Sequence, residues 1–289
     1  MSDLKAGFIG LGAMGYAMAG HLHRAGLLAA VSNRTMTKAE QFAKDHAGVS
    51  ALSPTDLARQ CNVIVLCVSA DSDVIGVVQE IAKSAKPGTI VIDHSTVSSM
   101  TAQKASELLK PANIEFLDAP VSGGVEGAKN GKLSEMVGGD AKTLERARPV
   151  LEAYAARISH MGGVGAGQNT KSVNQVLVAG IAQATCEGLA LGEALGLDPD
   201  RLLPTLMAGA ANSWFLEKRG ATMMKDQFSV GFKLALLHKD LGIVDALAKA
   251  AGTDRSIIEK SLADYAELMK QGHGDDDISA LIRLKRKRR

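Results

Sequence analysis

The chain has 289 residues and a mass of 30.2 kDa, room for one large domain or two modest ones at roughly 100–200 residues each. With 46% hydrophobic and 22% charged residues it has the composition of a packed globular chain, which excludes a disordered or fibrous protein. Net charge is +2, yet six cations fall in the last seven residues (Arg283, Lys285, Arg286, Lys287, Arg288, Arg289). The body is therefore mildly acidic, and with ten aromatic residues it lacks both the basic face and the stacking platforms of a nucleic-acid binder.

In chain order, apolar runs at 6–9, 28–32, 63–68, 89–93 and 115–118 predict β-strands, followed by weaker ones at 133–137 and 157–161. Helical segments separate the first five. Gly26 stops one helix and Lys86-Pro87-Gly88 another. Ser53-Pro54-Thr55-Asp56 starts a third, with a capping hydroxyl, proline at the first helical position and a carboxylate three residues on. Continuously apolar strands alternating with helices imply a parallel sheet covered on both faces. Beyond the glycine-rich run Gly162-Gly163-Val164-Gly165-Ala166-Gly167 the strand signals stop. Helices are predicted at 169–195, 199–209, 213–225, 233–251 and 255–271, the first rich in Gly and Ala. The expected fold is α/β: a Rossmann-like doubly wound parallel sheet over 1–163, then an all-α domain over 164–289.

Cys61, Cys67 and Cys186 form no C-x-x-C pair, so neither a disulfide framework nor a zinc site is expected. The mixed-charge start has no signal-peptide pattern, and no stretch of about 18 residues is free of polar groups, so no membrane span is expected. A reducing cytoplasm fits this cysteine usage. The basic tail reads as a solvated end. His21, His23, His46 and His94 have no ligand spacing and read as ordinary histidines, and no metal site is expected.

Gly10-Leu11-Gly12-Ala13-Met14-Gly15 is a G-x-G-x-x-G opening the first βαβ unit. Gly10 permits the tight turn, Gly12 lets backbone approach a pyrophosphate, and Gly15 lets helix and strand pack closely, with the helix N-terminus facing the phosphates. The second strand ends in Ser32-Asn33-Arg34-Thr35, with Lys38 nearby, where an NAD site would carry a carboxylate. Hydroxyls, a guanidinium and an ammonium suit a 2′-phosphate, so NADP (NADPH) is expected over NAD. Further on, Asp118-Ala119-Pro120-Val121-Ser122-Gly123-Gly124-Val125-Glu126-Gly127-Ala128 offers a cradle for a carboxylate, from the Ser122 hydroxyl and the Gly123 and Gly124 amides. In Gly165-Ala166-Gly167-Gln168-Asn169-Thr170-Lys171-Ser172-Val173-Asn174-Gln175, helical spacing puts Lys171, Asn174 and Gln175 on one face.

These stretches, together with Phe232 and Lys239-Asp240-Leu241, resemble the β-hydroxyacid dehydrogenases over nearly the whole chain. That family includes 3-hydroxyisobutyrate dehydrogenase, tartronate semialdehyde reductase and the glyoxylate/succinic semialdehyde reductases. The resemblance implies that Lys171 is the catalytic lysine, that Ser122, Gly123 and Gly124 hold the substrate carboxylate with Asn174 and Gln175 in support, and that Thr96 and Lys239 contact the nicotinamide cofactor. Asn174-Gln175 is similar to tartronate semialdehyde reductases. Asn212-Ser213-Trp214-Phe215, where pocket residues of the helical domain are expected, matches no subfamily signature. The implied activity is hydride transfer between NADP and a short aldehyde acid or β-hydroxyacid, Lys171 giving or taking the proton, in a homodimer or homotetramer. From another class, the alternative is a non-catalytic NADP-binding sensor or scaffold of the same fold.

Overall fold

The computed structural model describes residues 4–229 and 231–286 and divides into two compact units, Met1–Lys171 and Ser172–Arg289. In the first unit β1 (Ala6–Ile9), β2 (Leu28–Ser32), β3 (Ser50–Ala51), β4 (Val63–Leu66), β5 (Ile90–Asp93) and β6 (Glu115–Asp118) are parallel, in the spatial order β3-β2-β1-β4-β5-β6. Between them run α1 (Gly15–Arg24), α2 (Met36–Asp45), α3 (Pro54–Gln60), α4 (Asp71–Ala82) and α5 (Ser99–Leu109). The central strands β1, β4 and β5 are apolar in runs, ending in Asp93 on β5, because successive side chains enter different cores. Phe8, Val63, Val65, Ile90 and Ile92 pack with Met18, Leu22 and Phe42, whereas Ile9, Ile64, Leu66 and Val91 pack with Leu57, Val78 and Ala102. Each large apolar side chain so buried contributes about 1.5–3 kcal/mol. Ser53 caps α3 as its sequence predicts, accepting from the Asp56 N–H at 3.1 Å.

The sheet departs from uniformly parallel beyond β6. There follow β7 (Val121–Ser122), α6 (Gly124–Asn130), β8 (Leu133–Gly138), α7 (Ala141–Leu151) and β9 (Ala155–Gly162). β8 runs antiparallel to β6 and β7 and parallel to β9, because the short 119–132 excursion reverses the chain without a full crossover. Glu135 of β8 is fully buried beside this core, and burial pushes its carboxyl well above the usual range.

Five long helices follow: α8 (Ala166–Ala194), α9 (Pro199–Met207), α10 (Trp214–Met224), α11 (Leu234–Ala251) and α12 (Ser256–Lys270), then a 3₁₀ turn (Ile278–Leu281) and α13 (Ile282–Lys285). The division between the two units falls within α8, between Lys171 and Ser172. In the second unit Ala179, Ala182, Cys186 and Leu189 of α8 pack against Leu237, Leu241, Tyr265 and Leu268. By length and composition α8 could cross a bilayer, with a mean hydropathy of 1.2 over its most apolar window. Its buried Gln175 and Gln183, however, are hydrogen-bonded to Asp240, Ser261 and Asp264, as befits a helix at the centre of a packed unit.

The tail corrects its sequence reading. Arg286 makes two bonds to the Glu193 carboxylate (2.7 and 2.8 Å) and one to Asp226 (3.0 Å), while Lys285 pairs with Asp264 at 3.0 Å. The Arg283 guanidinium lies 4.5 Å from the Phe228 ring centre. These cations hold the end of the chain onto acids that folding brings to it. Lys287, Arg288 and Arg289 lie outside the described residues.

Candidate active site

β1 hands over to α1 through Gly10, whose φ of +104° favours glycine. A Cβ at Gly10 would stand 2.2 Å from the Cys67 carbonyl oxygen, and one at Gly15 would stand 1.9 Å from that of Gly10. At Gly12 it would meet nothing within 4 Å. The loop is thus closed where it packs on the protein and bare where a pyrophosphate would approach. Met14 makes no side-chain cap and the first turn of α1 holds no acid, so its N-terminal N–H groups suit an anion. The Leu11 N–H donates to Asn33 Oδ1 (2.9 Å) and Asn33 Nδ2 to the Thr35 carbonyl (3.0 Å), tying the Leu11–Ala13 turn to the end of β2. Arg34 is 86% exposed by side chain, 3.4 Å from Asp73, with Thr35 and Lys38 also exposed beside it. These residues fit a pyridine dinucleotide.

At the other end of the sheet, three segments of the first unit are bonded together. Asp118, the last residue of β6, accepts from the N–H groups of Gly165 (2.7 Å) and Gln168 (2.9 Å) and so caps α8. Burial pushes the Asp118 carboxyl up, and those two N–H groups pull it back. Room for this cap comes from Gly167, where a Cβ would stand 2.3 Å from the Met136 carbonyl oxygen. Lys171, one turn into α8 and 8% exposed, donates from Nζ to the Val121 carbonyl at 2.9 Å. The next residue is Ser122, followed by Gly123 and Gly124 with φ of +123° and +60°, which swing the chain into α6. Lys171 and the Ser122–Gly123–Gly124 turn, far apart in sequence, are therefore neighbours.

His94 is structural. It is buried, and burial lowers it to about 4, so it is neutral. Its Nδ1–H donates to the Ala119 carbonyl (2.6 Å), which leaves Nε2 to accept from the Tyr154 hydroxyl (2.9 Å). Beneath it Asp93 is pushed up to about 7 by burial and by the nearby Asp118 charge, with one oxygen bonded to the Ser95 N–H (2.9 Å). Thr96 lies in the turn that follows.

The second unit holds the remaining candidates. Asn174 Nδ2 donates to Gln175 Oε1 (2.8 Å), Gln175 Nε2 to Asp240 Oδ2 (2.7 Å), and Lys239 Nζ pairs with Asp240 Oδ1 (3.0 Å). Asp240, buried, is the residue that sequence reasoning passed over, although it stands in the Lys239-Asp240-Leu241 motif. In Asn212-Ser213-Trp214-Phe215, Ser213 caps α10 by accepting from the Leu216 N–H (3.1 Å), and Trp214 is exposed with the Arg219 guanidinium 5.6 Å from its ring centre.

Comparison with known proteins covers both units. A family model described as the NAD-binding domain of 6-phosphogluconate dehydrogenase matches residues 5–163. A second, described as the NAD-binding domain of NADP-dependent 3-hydroxyisobutyrate dehydrogenase, matches 165–285. An uncharacterised oxidoreductase of Shewanella frigidimarina is 40% identical, over 98% of this chain and 99% of its own. The NAD-dependent L-serine dehydrogenase of Pseudomonas aeruginosa is 35% identical over 96% of each chain. Among solved structures, the 3-hydroxyisobutyrate dehydrogenase of Mycobacterium tuberculosis with L-serine superposes with a TM-score of 0.88 at 32% identity, covering 98% of this chain and 99% of its own.

Proposed function

The chain belongs to the 3-hydroxyisobutyrate dehydrogenase family of NAD-binding oxidoreductases, and on that premise we propose that it transfers a hydride between NADP and a short β-hydroxyacid or aldehyde acid. The observation that carries this reading is the nearly buried Lys171 ammonium bonded to the carbonyl just before Ser122. It sets a proton donor beside a hydroxyl and two glycine amides.

The nicotinamide ring, when bound, would supply or accept the hydride. Gly10, Leu11, Gly12, Ala13, Met14 and Gly15 receive the pyrophosphate, and Asn33, Arg34, Thr35 and Lys38 the 2′-phosphate. Thr96 and Lys239 would contact the dinucleotide, as the resemblance implies. Ser122, Gly123 and Gly124 hold the substrate carboxylate, with Asn174 and Gln175 as its supporting amides. Lys171 donates to the carbonyl oxygen and gives it a proton as negative charge develops there; in the oxidative direction the neutral amine takes that proton back.

Residues 1–163 act as the dinucleotide domain and 164–289 as the substrate and oligomerisation domain. Along α8, Val173, Leu177, Ile181 and Leu191 are exposed at helical spacing, with Leu195 just past its end. We assign that stripe to a homodimer or homotetramer. All three cysteines are free, which suits the cytoplasm.

The test is turnover with NADPH and NADH against glyoxylate and the tartronate, succinic and methylmalonate semialdehydes. Uncharged aldehydes serve as controls, with 3-hydroxyisobutyrate and L-serine in the oxidative direction. L-serine earns its place because it is a β-hydroxyacid and two of the relatives carry it in their descriptions. A protein that binds NADPH but turns over none of these acids, or reduces butanal as well as succinic semialdehyde, overturns the reading.

A further inference from the structure

One buried side chain in the first unit bonds to the peptides on both sides of Thr96. Gln168, in the first turn of α8, is 1% exposed. Its Nε2 donates to the Ser95 carbonyl at 2.8 Å, and its Oε1 accepts from the Val97 N–H at 3.2 Å. The residue enclosed by those two bonds is Thr96. The backbone of Gln168 is fixed separately, through its N–H to Asp118 Oδ2 at 2.9 Å. Lys171 follows three residues later on the same helix, and its ammonium reaches the Val121 carbonyl.

We propose that Gln168 is a positioning residue that sets Thr96 in register with Lys171, so that Thr96 meets the nicotinamide end of the dinucleotide while it and the proton donor are held from one helical turn. This rests on the reading above, in which Thr96 contacts the dinucleotide. The chemistry of the clamp is specific to a primary amide. A carbonyl needs a donor and a peptide N–H needs an acceptor, and the two ends of one planar amide supply both. Glutamate at this place keeps the acceptor and loses the donor; methionine keeps the length and loses both. Either change leaves a buried peptide group unpaired, so the 95–97 turn must shift to find another partner, and Thr96 moves with it. The cap on α8 survives such changes, because it uses the backbone N–H of residue 168, and Lys171 stays where it was.

The test compares a whole dinucleotide with the same molecule lacking nicotinamide, in the full-length protein. Affinities for NADPH and 2′-phospho-ADP-ribose, with NADH and ADP-ribose as the matching pair, are measured by calorimetry for wild type, Gln168→Met, Gln168→Glu, Thr96→Ala and Thr96→Ala/Gln168→Met. Gln168→Met is expected to weaken the dinucleotide about tenfold and the fragment by no more than about twofold, the size expected when a buried hydrogen-bonded pair is lost at one end of a ligand site. The double variant should be no weaker than Thr96→Ala alone, since Gln168 acts through Thr96. Gln168→Glu, close to isosteric, should show the same selective loss and carries the test if the methionine variant fails to fold. Equal weakening of dinucleotide and fragment, or full additivity in the double variant, overturns the proposal. A selective Thr96→Ala beside unselective Gln168 variants sinks the positioning role while the reading of Thr96 stands. An unselective Thr96→Ala sinks both.

Discussion

Replacing Arg34 with aspartate puts a carboxylate at the end of β2, where the wild-type chain presents a guanidinium to solvent. That guanidinium is 86% exposed and stands 3.4 Å from Asp73, itself partly exposed. A solvent-screened contact of this kind is worth about 0–1 kcal/mol, so turning Arg34 onto a ligand sacrifices little. A charge-assisted hydrogen bond to a 2′-phosphate returns about 1.5–3 kcal/mol. The net of about 0.5–3 kcal/mol corresponds to a factor of roughly 2 to 160 in favour of NADPH over NADH. In Arg34→Asp the gain is lost, the new carboxylate repels the phosphate, and it can accept from the free ribose 2′-hydroxyl of NADH. The preference should therefore invert. Dissociation constants for both cofactors, with kcat/KM for each, measure the change. Equal affinities in the wild type, or a ratio that Arg34→Asp leaves untouched, refutes the assignment of the β2 terminus to a phosphate.

Lys171→Ala should lower kcat by about 10²–10⁴ with NADPH affinity nearly unchanged, and Lys171→Arg should not restore oxidation, because a guanidinium does not give up its proton; a wild-type kcat in Lys171→Ala removes it as the proton donor. Gly12→Ala should melt like the wild type, since its Cβ meets nothing, yet bind the dinucleotide about tenfold more weakly. Gly15→Ala, with its Cβ 1.9 Å from a carbonyl oxygen, should instead lose about 1–3 kcal/mol of stability. Asp118→Ala leaves two buried N–H groups without their acceptor and should cost about 2–4 kcal/mol in urea unfolding. Asp93 and His94 oppose each other in pH. Asp93, raised from 3.8 to about 7, keeps a proton that the unfolded chain releases, so its contribution to stability falls as pH rises through that window. His94, lowered from 6.5 to about 4, refuses a proton that the unfolded chain takes, so its contribution falls as pH drops. Asp93→Asn removes only the first, and its stability relative to wild type should climb by about a few kcal/mol between pH 4 and 7; a flat difference would place the Asp93 proton elsewhere.

Much of the architecture can be read without coordinates. The strands β1, β2, β4 and β5 carry unbroken apolar runs, polar only at the last residue of β2 and β5, and a sheet buried on both faces makes use of such a pattern, so the alternation of strand and helix announces its own layering. The Gly10–Gly15 spacing, the Ser53 cap and the helical face of Lys171, Asn174 and Gln175 are equally local, each depending on residues within a turn or two. Tertiary structure decided the rest. Helix α8 begins at Ala166, ahead of the predicted 169, because its cap is Asp118, 47 residues before Gly165. β7 has two residues, too few for any period to register, and the antiparallel turn of β8 depends on where the chain comes back rather than on its composition. Arg286 looks solvated beside its sequence neighbours and is paired because folding brings Glu193 to it. Gln168 and Asp240 stand inside motifs the sequence shows, yet nothing local says what they do; their meaning lies in partners 71–73 and 65 residues away. Local preference is written into neighbouring residues, whereas a buried polar group is defined by whatever distant segment satisfies it, and only the folded chain names that segment.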